Sequence, residues 1–302
     1  MNRPAVELRE TVLSDGLVGS GLTPPAELRT QLVDLLADAG LPYVEVAALD
    51  VRDGSEQPSD PEALSCAQVL PERAEQTFAA MVRRHDVFSI FRQTALDAIS
   101  IRLCLRCVSA GPGWELTEAA LAVDRLELWL PELVDGGYRI RAVLVDGLQA
   151  LESENGELER LMEAFFEEGL EEIAVGDAVG NVPPTSIRRA AKRWVASFGA
   201  DKVALKPGDS LGRGLVQLCA GYDGGLRRFD TALAGLGGSL SSGCGAALAT
   251  EDAVALLADE GIATGIDLRQ LVRCSRLACE QLGVTGRSRY AAACDREGRP
   301  VW

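Results

Sequence analysis

The stretch Lys202-Val-Ala-Leu-Lys-Pro-Gly-Asp-Ser210 decides how the rest of the chain is read. In an extended segment Val203 and Leu205 fall on one side and Lys202, Ala204 and Lys206 on the other, because a strand alternates its side chains with a period of two. Pro207 and Gly208 end the segment. The reading is a short buried strand with Lys206 at its C-terminal edge, and in a parallel α/β barrel that edge carries the chemistry.

Outward from this strand the pattern repeats. Glu172-Ile-Ala-Val-Gly-Asp177 reads as a strand ending in a turn, followed by a helix from Pro184 to Phe198 whose basic face, Arg188, Arg189, Lys192 and Arg193, is solvated. Tyr138 to Val145 is a strand and Glu154 to Glu168 an acidic helix. At the start of the chain, Ala5 to Val12 is a strand. Pro24 and Pro25 then open a helix with Leu28, Leu32, Leu35 and Leu36 on one face, closed by Gly40, and Tyr43 to Ala48 is the next strand. Val51 to Pro61 is polar and reads as a surface loop over the barrel mouth. A helix is expected over Pro71 to Arg84, strands over Phe88 to Phe91 and Ile101 to Val108 with a helical stretch near Thr94 to Ala98 between them, and a helix over Glu115 to Leu133.

After Lys206 come a helix near Leu215 to Tyr222 and a strand from Phe229 to Leu233. Strands beginning at 5, 43, 88, 101, 138, 172, 202 and 229 make eight, mostly alternating with helices, which is the count of a closed (β/α)8 TIM barrel. The expected division is a barrel over 1–262 and a C-terminal appendage over 263–302, with a helix from Leu268 to Leu282 and a polar tail packed on the barrel. A glycine- and serine-rich loop, Gly235 to Ala247, follows the last strand.

At 302 residues with 47% hydrophobic content the chain can bury a full core. A net charge of −15 argues against a nucleic-acid groove or an anionic membrane surface, which need clustered Lys and Arg. No stretch approaches a membrane span and the first ten residues lack an apolar signal core, so a cytoplasmic protein is expected. Eight irregularly spaced cysteines read as reduced thiols. Cys104-Leu-Arg-Cys107 lies within an apparent strand, which turns its two thiols to opposite faces, and so reads as two buried small hydrophobes. The glycine runs lack the strand-turn-helix setting of a dinucleotide site.

Four stretches together resemble the hydroxymethylglutaryl-CoA lyase family and its wider group, the Asp-Arg-Glu TIM-barrel metallolyases. Glu10-Thr-Val-Leu-Ser-Asp-Gly-Leu17 is similar to the family's first-strand motif, which ends Arg-Asp-Gly. Val44-Glu45-Val46 matches its second-strand glutamate, and Val175-Gly-Asp-Ala-Val-Gly180 is similar to its Gly-Asp-Thr turn. Gly235-Leu-Gly-Gly238 and Ala249-Thr-Glu-Asp252 bracket its loop after the eighth strand. The resemblance implies a divalent metal held by the first-strand Asp, an H-x-H on the seventh strand and often an Asn after the eighth, with an Arg beside that Asp polarising the substrate carbonyl. This sequence keeps Asp15, Glu45, Asp177 and Asp209. It has Ser14 in place of the Arg, Lys206 and Gly208 in place of the two His, and Ala247 near the Asn. Ser239 stands where the lyases carry a loop Cys, with Cys244 five residues on.

One carboxylate beside an ammonium is not a site for a hard divalent ion, and His85, the only histidine, is far from every motif and reads as a surface residue. No metal or other cofactor is expected. The leading expectation is therefore a metal-independent carbon-carbon lyase or aldolase acting on a small 2-oxo or acyl substrate. Lys206 replaces the metal as a fixed cation or a Schiff base, Asp15 or Asp177 moves the proton, and Glu45 and Asp209 complete the rim. Ser14, Ser239, Ser241 and Cys244 are the expected substrate-binding residues. The alternative is a catalytically inactive relative in which Lys206 neutralises acids left behind by the lost metal, acting as a partner of an active homologue or as a ligand-binding protein. A third reading, an isomerase or hydrolase using Ser14, Ser239 or Cys244, lacks a histidine to activate the nucleophile. The resemblance further implies a homodimer.

Overall fold

The computed structural model describes residues 5–50, 58–82, 88–104, 130–131, 133–152, 156–177, 179–237 and 246–301. Its strands are β1 (Glu7–Glu10), β2 (Tyr43–Leu49), β3 (Thr77–Val82), β4 (Ala98–Cys104), β5 (Arg139–Val145), β6 (Glu172–Gly176), β7 (Val203–Lys206) and β8 (Arg228–Thr231). Each pairs in parallel with the next, and β8 closes on β1 through Glu7 to Glu10 against Arg228 to Thr231. This is the TIM barrel that the strand count requires.

The parity read from β7 holds in three dimensions. Val203 and Leu205 pack outward into the core shared with the surrounding helices. Ala204 faces the barrel axis with Val143, Val145 and Ala174. Lys206 lies in register with Gly176, and the missing side chain there leaves the axis open beside the lysine. The helix Pro184–Phe198 covers the outside by burying Ile187, Ala190, Ala191 and Trp194, the apolar stripe that its spacing prescribes.

Below Ala204 the axis is charged rather than apolar. Arg9, Glu45, Arg141, Glu172 and Asp230 are all buried. Arg9 donates to Glu172 at 2.6 Å, and Arg141 NH2 lies 2.8 Å from both oxygens of Asp230. Burial pushes the Arg141 guanidinium down, but Asp230 and Glu172 more than offset this and hold it above its ordinary value. Buried charges persist only when paired, and the barrel pairs groups from β1, β5, β6 and β8 that are far apart in sequence.

Two assignments near the third strand are corrected. Thr77-Phe-Ala-Ala-Met-Val82, expected within a helix over Pro71 to Arg84, is β3, and Phe88 to Phe91, expected as a strand, is a helical turn. A parallel strand buried on both faces shows no alternation, and Ala-Ala-Met is equally at home in a helix, so periodicity could not separate the two. Phe91 instead packs edge-on against Tyr138, with ring centroids 4.8 Å apart. The polar loop over Val51 to Pro61 gives way to a helix, Pro61–Gln68, whose first turn is capped by Asp60 accepting from Ala63 N. Residues 51–57, His85, Cys107 and most of the helix expected over Glu115 to Leu133 lie outside the described residues.

The C-terminal helix Leu268–Leu282 starts at Asp267, whose carboxylate accepts from Arg269 N and Gln270 N, and its buried face includes Leu271, Cys274 and Ala278. Asp267 N donates to Ala39 O at 2.8 Å, which ties the helix to the end of helix Ala26–Asp38. Among the described residues no helix is long and apolar enough to cross a membrane.

Candidate active site

Asp15, Arg102 and Lys206 meet at the C-terminal mouth of the barrel. A π-helical turn, Val12–Gly16, follows β1 and carries Asp15, which is 5% exposed. Lys206 Nζ lies 3.0 Å from Asp15 Oδ2. The guanidinium of Arg102, from β4, pairs with Asp15 Oδ1 from the opposite side. Both oxygens of one carboxylate are thus held by cations from different strands. Burial pushes the Lys206 amine down from its usual 10.5; Asp230 and Glu45 act against this, and Arg102 and Arg141 act with it.

Arg102 was not anticipated from sequence. Its signal was an arginine within the apolar run Ile99 to Cys104, on the same parity as Ser100, and inward charges in barrel strands seldom lack a task. It brings a guanidinium to Asp15 in a chain that has Ser14 beside Asp15 in sequence. Asp146 at the end of β5 was also missed. It adopts φ 60°, a left-handed conformation uncommon outside glycine, and lines the same cleft with Asp15, Arg102, Asp177 and Lys206.

The remaining expected residues separate. Glu45 is buried one layer below, where the Ser14 hydroxyl lies 2.6 Å from Oε2 and Arg141 NH1 lies 3.8 Å from Oε1. Ser14, itself buried, therefore holds Glu45. Asp177 lines the cleft, but its carboxylate accepts from Gln149, Val179 N, Gly180 N, Val182 N and Gln217, which fixes the turn after β6. Asp209 turns away from the cleft and accepts from Gly214 N at 2.7 Å, at the start of helix Gly214–Asp223. Ser239, Ser241 and Cys244 lie outside the described residues.

The donor set does not fit a divalent metal. Asp15 is already held by two cations, and among the described residues no cluster of three or more His, Cys, Asp or Glu could hold an ion. The Gly208 position is closed as well. A Cβ there would fall on the Asp177 carbonyl oxygen and 2.8 Å from Gly180 N, both backbone atoms, so no imidazole can be placed by simple substitution. Gln217 seals this arrangement by donating to Asp177 Oδ2 at 2.6 Å and accepting from Gly208 N at 3.2 Å. Gly208→Ala is expected to cost about 2–3 kcal/mol in denaturant unfolding. A Lys206→His/Gly208→His double variant is expected to show no gain in zinc or magnesium affinity by calorimetry.

Two buried acids hold the turns that frame the mouth. Glu10 Oε1 accepts from Val12 N and Leu233 N, both at 2.8 Å, which joins the turn after β1 to the turn after β8. Glu251 accepts from Ala234 N, which sits at φ 58°. Burial pushes each carboxyl up to about 7 from the usual 4.5. Raised acids stabilise the fold fully below pH 4.5, and that contribution is lost as pH rises through about 7. The melting temperature is therefore expected to fall between pH 5 and 8, by an amount corresponding to about 3 kcal/mol per group. Glu10→Gln, which keeps the acceptor, should flatten the slope.

Residues 143–278 match the HMGL-like family model. The chain is similar to the hydroxymethylglutaryl-CoA lyase YngG of Bacillus subtilis, 32% identical over 125 residues that span 41% of this chain and 42% of that protein. It is 24% identical over 302 aligned positions to the hydroxymethylglutaryl-CoA lyase of Pseudomonas mevalonii, covering 96% of each chain. Its fold matches the crystal structure of hydroxymethylglutaryl-CoA lyase from Pseudomonas aeruginosa with a TM-score of 0.83 at 23% identity, covering 97% of this chain and 98% of that one.

Proposed function

We propose, for a chain that belongs to the HMG-CoA lyase-like family of TIM barrels, a metal-independent carbon-carbon lyase of the aldolase type in which Lys206 replaces the metal. The observation that carries this reading is the Lys206–Asp15–Arg102 constellation at the C-terminal mouth. An amine pushed down by burial, beside a second cation, has a larger neutral fraction at pH 7 than a surface lysine and can act as a nucleophile.

For a 4-hydroxy-2-oxo acid the steps are as follows. The Lys206 amine adds to the 2-oxo carbon and water leaves, giving an iminium. The C3–C4 bond breaks, its electron pair moving toward nitrogen, while Asp15 takes the C4 hydroxyl proton and an aldehyde departs. The enamine is protonated at C3 and hydrolysed, returning Lys206 and a 2-oxo acid. Arg102, on the cleft wall, is placed to hold the substrate carboxylate.

Release of 2-oxo acid from a panel of 4-hydroxy-2-oxo acids tests the reading. Hydroxymethylglutaryl-CoA, whose cleavage gives an acyl-CoA and a 3-oxo acid rather than a 2-oxo acid, is assayed separately by acyl-CoA release because the relatives are lyases of that thioester. Activity is expected to be unchanged in excess EDTA. Loss of activity on chelation, with recovery on adding a divalent ion, would overturn metal independence.

The second reading, an inactive relative serving as a partner or ligand-binding protein, is favoured by the mutual neutralisation of Lys206, Asp15 and Arg102 and by the five donors that engage Asp177. It calls for no turnover across the panel, together with a stable complex with an active homologue rather than a homodimer alone.

A further inference from the structure

We propose that the N-terminal mouth of the barrel is a second binding site, for a small organic anion whose phosphate or carboxylate meets Arg9 and Arg141 while its carbon skeleton lies against Phe166 and Leu170. A cavity of about 470 Å³ opens at this end, at the opposite end of the strands from Lys206, and falls within the range of small-molecule sites.

Its floor is Arg9, Tyr43, Arg141 and Glu172. The Arg9 and Arg141 side chains are 3% and 4% exposed, and their guanidinium carbons lie 4.2 and 5.4 Å from the centre of the Tyr43 ring. Arg9 Nε, Arg141 Nε and Arg141 NH1 are buried and make no aligned hydrogen bond among the described residues. Arg141 Nε is within ion-pair distance of Glu172 Oε1, at 3.1 Å, yet neither atom makes a hydrogen bond. Native interiors rarely leave donors in this state unless a further acceptor completes them.

The rim adds Arg139, Lys202 and Arg228 against Glu171 and Asp201. Five cations and three carboxylates line the cavity, while Glu7 pairs with Arg9 and Arg228, and Asp230 and Glu45 with Arg141, from beside it. The rim cations Arg139 and Lys202 draw anions toward the opening. The apolar wall, with buried Leu170 and half-buried Phe166, suits a carbon-bearing anion better than a bare ion. A TIM barrel's N-terminal face is ordinarily devoted to stability, and a packed stability layer would have filled this volume with side chains.

The test is calorimetric titration of the full chain at low ionic strength with inorganic phosphate and, separately, with malonate. Binding of either supports the site, and the tighter of the two identifies the head group. Arg139→Gln/Lys202→Gln, which changes rim residues only, is expected to weaken binding about 10-fold, and Glu171→Gln to tighten it several-fold. Lys206→Met is expected to leave it unchanged. No heat from either anion at 20-fold above a ~1 mM target affinity, or binding that the rim variant leaves intact, would overturn the proposal. Binding abolished by Lys206→Met would do the same, because the anion would then occupy the opposite mouth.

Discussion

Lys206→Met is expected to abolish turnover, by at least about 10³-fold in kcat/KM, while changing the melting temperature by no more than a few degrees. The two halves of this result have separate causes. Removing the amine removes the only described group placed to form the iminium. The fold survives because Asp15, the acid left behind, retains Arg102 on its other oxygen. Arg102→Met is the mirror case. Asp15 keeps Lys206, but the cation that helps to lower the Lys206 pKa is gone, so the acid limb of the pH-rate profile should move to higher pH. Only the double variant Arg102→Met/Lys206→Met leaves the buried carboxylate without a cation, at a cost of about 3–5 kcal/mol. Stabilities that simply add across this cycle would contradict the geometry, because groups sharing one partner must couple.

The largest single effect on stability is expected from Arg141→Met. The guanidinium contacts Asp230 at 2.8 Å on both oxygens, Glu172 at 3.1 Å and Glu45 at 3.8 Å. Methionine fills much of the volume and supplies no charge, so three buried carboxylates lose their shared cation. Breaking a single buried pair costs about 3–5 kcal/mol, and this variant should reach or exceed that range in urea unfolding. Arg193→Met at the Arg193–Glu159 pair, whose side chains are 55% and 25% exposed, should stay within about 1 kcal/mol. The contrast is set by solvent, since both pairs have an N–O distance of 2.8 Å.

The barrel was legible because β7 has an unambiguous parity and a hard stop at Pro207 and Gly208, and because helices Pro184–Phe198 and Leu268–Leu282 announce both ends with proline, a capping aspartate or glycine. The third strand was not, since a run buried on both faces carries no period. The count of eight survived only because the strand misplaced at Phe88 to Phe91 was matched by another, unrecognised one at Thr77–Val82. Asp15 and Lys206 were legible as neighbours. Arg102 was visible as an inward arginine, but nothing local says which acid it meets; Asp15 is on the turn after β1 and Arg102 on β4, and closure of the barrel alone brings them together. The charged axis is hidden for the same reason, with Arg9 and Glu172 separated by 163 residues. Asp209 shows the converse. Its family position suggested the rim, but a nearby peptide N–H at Gly214 claims its carboxylate.

Whether Lys206 forms a covalent link to a carbonyl substrate is tested most directly by borohydride reduction in the presence of small 2-oxo acids and aldehydes, followed by intact-mass measurement and peptide mapping. The account predicts a single adduct of one substrate unit, located on Lys206 and absent from Lys206→Met. An enzyme that turns over the same substrates without any trapped adduct, or with an adduct on another lysine that survives in Lys206→Met, would contradict it.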